Sequence, residues 1–218
     1  MSWFDLVIFD CDGVLVDSER LLVRTEADIL SGLGWPLAES EIVTRFGGRS
    51  DSYMHHEIEQ HLGRRVDWET EFETRYREVF ERELVPVSGI AKALDAIQIE
   101  SCVASNGSHQ TMQLTLSVTG LLARFQGRIF SANEVENHKP APDVFLHAAT
   151  MMGVSPQHCA VVEDSVPGVV AGVSAGMTVF GFSGSTTSPE RLTSAGAIVF
   201  DAMSELPDLL LATDFRIR

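Results

Sequence analysis

A chain of 218 residues is long enough to bury a sizeable core in one domain or two. Its hydrophobic content of 44% and charged content of 22% are those of a globular protein, and no apolar run approaches the ~20 residues that span a bilayer. A net charge of -15 with no basic stripe argues against a nucleic-acid partner, and obliges any anionic substrate to be captured by a few local cations or a metal. The start, Met1-Ser2-Trp3-Phe4-Asp5, lacks the basic region of a signal peptide. Cys11, Cys102 and Cys159 show no framework spacing and read as reduced thiols serving as small hydrophobes. These features predict a cytoplasmic monomer with no membrane partner.

The first predicted element is Leu6-Val7-Ile8-Phe9, a short apolar run of the kind buried on both faces of a sheet. It leads directly into Asp10-Cys11-Asp12-Gly13. Two carboxylates spaced i and i+2 at a strand end are expected to point the same way, because side chains alternate along a strand. A divalent cation is a good reason for such a pair, since hard cations take carboxylate and carbonyl oxygens. An ordinary Asp-Gly turn is the plain alternative, and this stretch alone does not separate the two.

From Ser18 to about Leu84 the spacing is helical. Leu22, Ile29 and Leu33, with Leu21 and Leu30 beside them, predict a helix ending near Gly34. A second helix follows Pro36 and stops at Gly47-Gly48. A third, which Ser50 can cap, runs to Gly63. A fourth, capped by Asp67, carries Trp68, Phe72, Tyr76, Phe80 and Leu84 on one face.

Strands then alternate with helices. Strands are predicted at Ser101-Cys102-Val103-Ala104, Arg128-Ile129-Phe130-Ser131, Cys159-Ala160-Val161-Val162, Thr178 to Phe182 and, more weakly, Ile198-Val199-Phe200. Helices are predicted at 90–97, 109–118, 143–152, 166–175 and 203–211, with Ser183 to Ser188 as a polar loop. This alternation predicts an α/β fold, a Rossmann-like parallel sheet core with helices on both faces. The core comprises 1–16 and 85–218, and 17–84 is an inserted all-helical cap domain. In such sheets ligands bind at the carboxyl ends of the strands. Those ends carry Asp10 and Asp12, Ser105, the loop holding Lys139, and Glu163-Asp164. Gly168 and Gly172 cost a helix interior ~1 kcal/mol each, so close packing of their helix on the sheet is expected.

Four stretches, Asp10-Cys11-Asp12-Gly13-Val14, Ser105-Asn106-Gly107, Lys139-Pro140-Ala141-Pro142-Asp143 and Glu163-Asp164-Ser165, resemble the motifs of the haloacid dehalogenase superfamily in order and spacing. The likeness is to its phosphatase and phosphomutase branch with a small helical cap, and covers essentially the whole core. Around Ala104 to Val135 it is nearest to the gluconate-6-phosphate phosphatases. The resemblance implies a Mg2+-dependent phosphatase acting on a small phosphorylated metabolite such as a sugar or sugar-acid phosphate. Asp10 would be the nucleophile that forms an aspartyl-phosphate. Metal ligands would be the Asp10 carboxylate, the Asp12 main-chain carbonyl and Asp164, with Glu163 nearby or water-linked. Asp12 would keep its carboxyl for acid-base work on the leaving alkoxide and then on water, which calls for a raised pKa. Dehalogenases and phosphonate-cleaving relatives lack this second Asp, so its presence favours phosphate-ester chemistry. Ser105 would donate its hydroxyl to a phosphate oxygen, the amides of Asn106 and Gly107 would form an anion site, and Lys139 would place a point charge on the phosphoryl group. Taken singly, Ser105-Asn106-Gly107 reads as a turn and cap, and Lys139 as a surface lysine in a stiff loop.

In the cap, Glu19 follows the nucleophile closely, and Gly47-Gly48-Arg49-Ser50 resembles a specificity loop in which Arg49 would contact the far end of the substrate. An exposed helix-start arginine is the competing reading. His55, His56 and His61 do not form a zinc motif, because His56 and His61 are five apart and off one helical face. Two other functions are open: a phosphomutase of the beta-phosphoglucomutase type, in which Arg49 would grip a second phosphate, and a receiver-like phospho-accepting module. Against the latter, receivers carry their Asp on a middle strand and have no long helical insert.

Overall fold

The computed structural model describes residues 3–46, 51–184 and 187–212. It divides into two compact units, one built from the chain up to Asp17 and from Val85 onward, the other from Ser18–Leu84.

The first unit is organised on a six-stranded sheet. Its strands are β1 (Leu6–Phe9), β2 (Glu100–Ser105), β3 (Ile129–Ser131), β4 (Cys159–Glu163), β5 (Thr178–Phe182) and β6 (Ile198–Phe200). The order is β3-β2-β1-β4-β5-β6 and every pairing is parallel. All six predicted strands are present. β1 lies between β2 and β4, so the order reverses beside it, and the crevice where such a sheet binds ligands opens at its carboxyl end.

Burial explains why the strands were recognisable. All four residues of β1 are fully buried, and they alternate between two cores. Leu6 and Ile8 pack with Val144, Phe145 and Ala148 of one helix (Asp143–Met152) and Val169 and Ala171 of another (Val166–Ser174). Phe9 faces the other way, with its ring 6.2 Å from that of Phe125, just beyond the helix His109–Val118. Helices thus cover both faces, which is why continuous apolar runs rather than alternating ones mark the strands.

Gly172 sits where the helix Val166–Ser174 crosses the sheet. A Cβ there would come within 2.6 Å of Val179 Cγ2, so the expected close packing accounts for this glycine. Gly168 has a different cause, which belongs to the site below.

The second unit contains helices Glu19–Gly32, Glu39–Phe46, Asp51–Leu62 and Thr74–Glu83 around Ile29, Leu30, Ile42, Phe46, Ile58, Val66 and Phe72. The predicted fourth helix begins instead as a π-helical turn, Glu69–Glu73. Asp67 accepts from the Thr70 amide at 3.2 Å, and Glu71 takes the Asp67 amide at 3.0 Å while Arg64 holds it from outside. Arg24 and Glu83 join the first and last helices at 2.5 Å. Two of the cap histidines have aromatic partners: His55 stacks on Trp68 at 3.6 Å and His61 on Trp35 at 3.9 Å. A helix at Pro189–Ala195 has no counterpart in the sequence reading. Among the described residues no helix is long and apolar enough to cross a membrane.

Candidate active site

The helices are numbered in chain order: α1 (Glu19–Gly32), α2 (Glu39–Phe46), α3 (Asp51–Leu62), α4 (Thr74–Glu83), α5 (Ile90–Ala96), α6 (His109–Val118), α7 (Asp143–Met152) and α8 (Val166–Ser174).

Asp10 is the first residue beyond β1. The chain turns there rather than continuing as a strand: the Leu15 and Val16 amides both return to the Cys11 carbonyl, and Gly13 takes a left-handed φ of 74°. Strand alternation therefore does not set the direction of Asp12, as the sequence suggested; this loop does. A Cβ on Gly13 would meet Asp164 Oδ2 at 1.9 Å, so only glycine admits the Asp164 carboxylate beside the loop. Cys11 points inward, its sulfur 3.7 Å from Thr115 Oγ1 of α6, and burial pushes its thiol well above the ordinary range.

Lys139 binds these elements together. Its ammonium donates to Asp10 Oδ1 at 2.5 Å, to Glu163 Oε1 at 2.7 Å and to the Ala104 carbonyl at 3.0 Å. It also lies over the Phe145 ring, 4.5 Å from the centroid, and its side chain is 4% exposed. The surface-lysine reading is thereby excluded. Burial opposes the ammonium, yet Asp10 and Glu163 overcome it and hold Lys139 above the usual lysine range.

One ammonium does not balance the acids around it. Burial, opposed by Lys139 but assisted by Glu163 and Asp12, pushes the Asp10 carboxyl up to about 7. Asp10, Glu163 and Asp164 are all buried, and their nearest oxygens lie within 4.8 Å of one another. An oxygen-only donor set with surplus negative charge fits a hard divalent cation such as Mg2+.

Glu163 is the most constrained of the three. Oε1 meets Lys139, while Oε2 accepts from the Asp164 amide at 3.0 Å, the Ser165 amide at 3.0 Å and the Ser165 hydroxyl at 2.9 Å. Ser165 in turn caps α8 through the Gly168 amide at 3.1 Å. Here lies the reason for Gly168, which is not the packing on the sheet that the sequence suggested: a Cβ would fall 1.7 Å from Glu163 Oε1. An exposed helix-interior Gly→Ala change stabilises by up to ~1 kcal/mol. Gly168→Ala is expected to do the opposite, lowering the melting temperature and activity together, because the Glu163 carboxylate must leave its seat. Thermal denaturation beside an activity assay checks this, and a stabilised, fully active variant would refute it.

Ser105 ends β2 and is buried; its oxygen accepts from the Gly107 amide at 3.1 Å, leaving its hydrogen for another acceptor. The Gly107 amide is thus already engaged, and α6 begins only at His109, capped by Ser108 through the Thr111 amide at 3.1 Å. A Cβ on Gly107 would lie 3.9 Å from Asp12 Oδ2, which places the Asp12 carboxylate beside this loop. Asn106 was expected to contribute its amide. Its side chain clasps the Lys139 backbone, accepting from the Lys139 amide at 3.0 Å and donating to its carbonyl at 3.5 Å. Sequence inspection gave no sign of this clasp, nor of the one by which Asp143 Oδ1 accepts from both the amide and the side chain of Asn137 across the lysine loop, at 3.3 and 3.1 Å.

Asp10, Asp12, Ser105, Asn106, Gly107, Lys139, Glu163 and Asp164 therefore converge at the carboxyl ends of β1, β2 and β4. Glu19 belongs to the other unit, in the first turn of α1. Arg49 lies outside the described residues.

Residues 4–176 match the haloacid dehalogenase-like hydrolase family, and the chain belongs to it. Among its relatives is the 6-phosphogluconate phosphatase of Escherichia coli, 33% identical over all of this chain and 99% of that protein. Two solved structures share the fold across nearly their whole length. A haloacid dehalogenase-like protein of unknown function from Agrobacterium tumefaciens has 36% identity and a TM-score of 0.83, covering 95% of this chain and 97% of its own. A haloacid dehalogenase family hydrolase from Deinococcus radiodurans, solved with bound phosphate and sodium, has 30% identity and a TM-score of 0.79, covering 94% of each.

Proposed function

We propose that this protein is a Mg2+-dependent phosphatase that hydrolyses a small sugar or sugar-acid phosphate through an aspartyl-phosphate on Asp10. The observation that carries the reading is the buried Asp10 carboxylate, held by Lys139 among further acids, with the Asp12 carboxylate beside the Ser105 loop. The likeness to the 6-phosphogluconate phosphatase along both full lengths supports the substrate class.

The roles follow from placement. Lys139 fixes Asp10 and supplies positive charge toward the oxygens of the incoming phosphoryl group. Ser105, its oxygen engaged by Gly107, directs its hydrogen at a phosphoryl oxygen. An Asp10 oxygen attacks phosphorus as the ester oxygen departs, and Asp12, beside the same loop, gives that oxygen a proton. In the second half Asp12 takes the proton back from a water that attacks the acyl phosphate, releasing inorganic phosphate and restoring the Asp10 carboxylate. Asp10 and Asp164, with the Asp12 carbonyl, would hold Mg2+, which when bound offsets the repulsion between a carboxylate and a phosphate anion. Glu163, its oxygens occupied by Lys139 and the Ser165 turn, holds that lysine and the start of α8.

The test is phosphate release from a panel of sugar and sugar-acid phosphates, with Mg2+ and then with excess EDTA. Release that requires the metal and concentrates on one or two sugar-acid phosphates is the expected result. No release from any monophosphate by folded protein would overturn the reading, and turnover only with a sugar bisphosphate primer would make the protein a mutase.

A further inference from the structure

Ser131 takes no part in the chemistry above, yet it stands beside it. It ends β3 fully buried, directly opposite Ser105 in the β2–β3 register. Its single hydroxyl hydrogen goes to the Gly107 carbonyl at 2.7 Å, while its oxygen accepts from the Asn133 amide at 3.2 Å. Its own amide donates to Glu134 Oε2 at 2.8 Å. The same Glu134 oxygen meets His109 Nε2, on the first residue of α6, at 3.0 Å.

These contacts close a ring around the loop Ser105-Asn106-Gly107-Ser108. The end of β3 holds the loop at Gly107 through Ser131, and the turn after β3 holds its far end through Glu134 and His109. Glycine is the residue whose backbone least resists rotation, so an external bond is what keeps the Gly107 carbonyl in place. A peptide group is planar, with its carbonyl and the following amide on opposite edges. Holding the Gly107 carbonyl toward β3 therefore turns the Ser108 amide away from β3. The Gly107 amide, in the preceding peptide plane, bonds to Ser105 at 3.1 Å, so Gly107 is held on both sides and its amide aims the serine hydroxyl.

We infer that Ser131 is a positioning residue for the phosphoryl pocket, acting through Gly107 on the Ser105 hydroxyl, with Glu134 and His109 holding Ser131 in that role. The inference rests on the phosphatase reading above. Glu134 and Ser131 form a capping box, which by itself would predict only a local turn; the hydroxyl given to Gly107 is what reaches the site.

The test compares wild type, Ser131→Ala and Ser131→Thr for KM, kcat and competitive inhibition by inorganic phosphate, with melting temperature as the control for folding. For Ser131→Ala, the KM of the best phosphomonoester and the inhibition constant of phosphate are expected to rise together by about tenfold, with a smaller change in kcat. Ser131→Thr, which keeps the hydroxyl, is expected to restore both to within about twofold. Unchanged KM and phosphate inhibition in folded Ser131→Ala, or no recovery in Ser131→Thr, would overturn the inference while leaving the phosphatase reading intact. If Ser131→Ala does not fold, Glu134→Gln decides: weaker phosphate inhibition by about threefold supports the inference, and no change overturns it. A wild type that turns over no phosphomonoester removes the phosphatase reading, and this inference falls with it.

Discussion

Asp10→Asn is expected to fold normally and to lose turnover by on the order of 10^5-fold, because the amide cannot serve as the nucleophile that carries the phosphoryl group. Its folding should survive for a reason visible in the site. Lys139 retains Glu163 at 2.7 Å and the Ala104 carbonyl at 3.0 Å, so the ammonium is not stranded. The carboxyl that is removed is one that burial already disfavours as an anion, so little stability depends on its charge. Steady-state assays and a melting curve on the same sample check both halves. Retained turnover would end the aspartyl-phosphate mechanism, and a collapsed melting temperature would show that Asp10 carries structural weight not apparent from its contacts.

Lys139→Met is expected to have the largest effect on stability. Removing one partner of a buried ion pair costs about 3–5 kcal/mol, since the charge left behind has neither water nor counter-ion. Here two carboxylates, Asp10 and Glu163, lose the same partner, and activity should be lost with them. The deficit should also depend on pH. Asp10 already has a folded-state pKa above its unfolded value, and without Lys139 it rises further. A carboxyl raised in this way favours the fold at low pH, and that contribution is lost as pH climbs through the folded value. The gap in melting temperature between wild type and variant, both metal-free in chelator, is therefore expected to be wider at pH 8 than at pH 5. An equal gap at the two values would mean that the carboxylates do not depend on Lys139 for their charge.

What could be read from the residues, and what could not, divides along a physical line. The six strands were legible because a strand covered on both faces must be apolar throughout, and Leu6-Val7-Ile8-Phe9 or Cys159-Ala160-Val161-Val162 has few other uses. Pro189–Ala195 escaped notice because it is short and polar and buries only Leu192, too little for a period to show. The acids and the lysine were legible through their resemblance to family motifs. The side chains that hold them in place were not. Nothing in the identity of Asn106, Ser131 or Gly168 announces that one clasps a distant lysine backbone, one pins a carbonyl and one makes room for a carboxylate. Each role exists only once separate strand ends are brought side by side.

The strand order has one more consequence, in time rather than in space. β1 leads into Asp10, the proposed nucleophile, yet both of its sheet neighbours come much later in the chain, one beginning at Glu100 and the other at Cys159. On a ribosome, Leu6–Phe9 would emerge first, with neither edge paired until β2 has been made and the second edge still open until β4 follows. The first stretch synthesised is thus among the last to be secured, and Asp10 meets Asp164 only after three quarters of the chain exists. Formation of the site therefore waits on the pairing of β1 with β4, so a truncated chain ending before β4 should have no partly working active site to misuse.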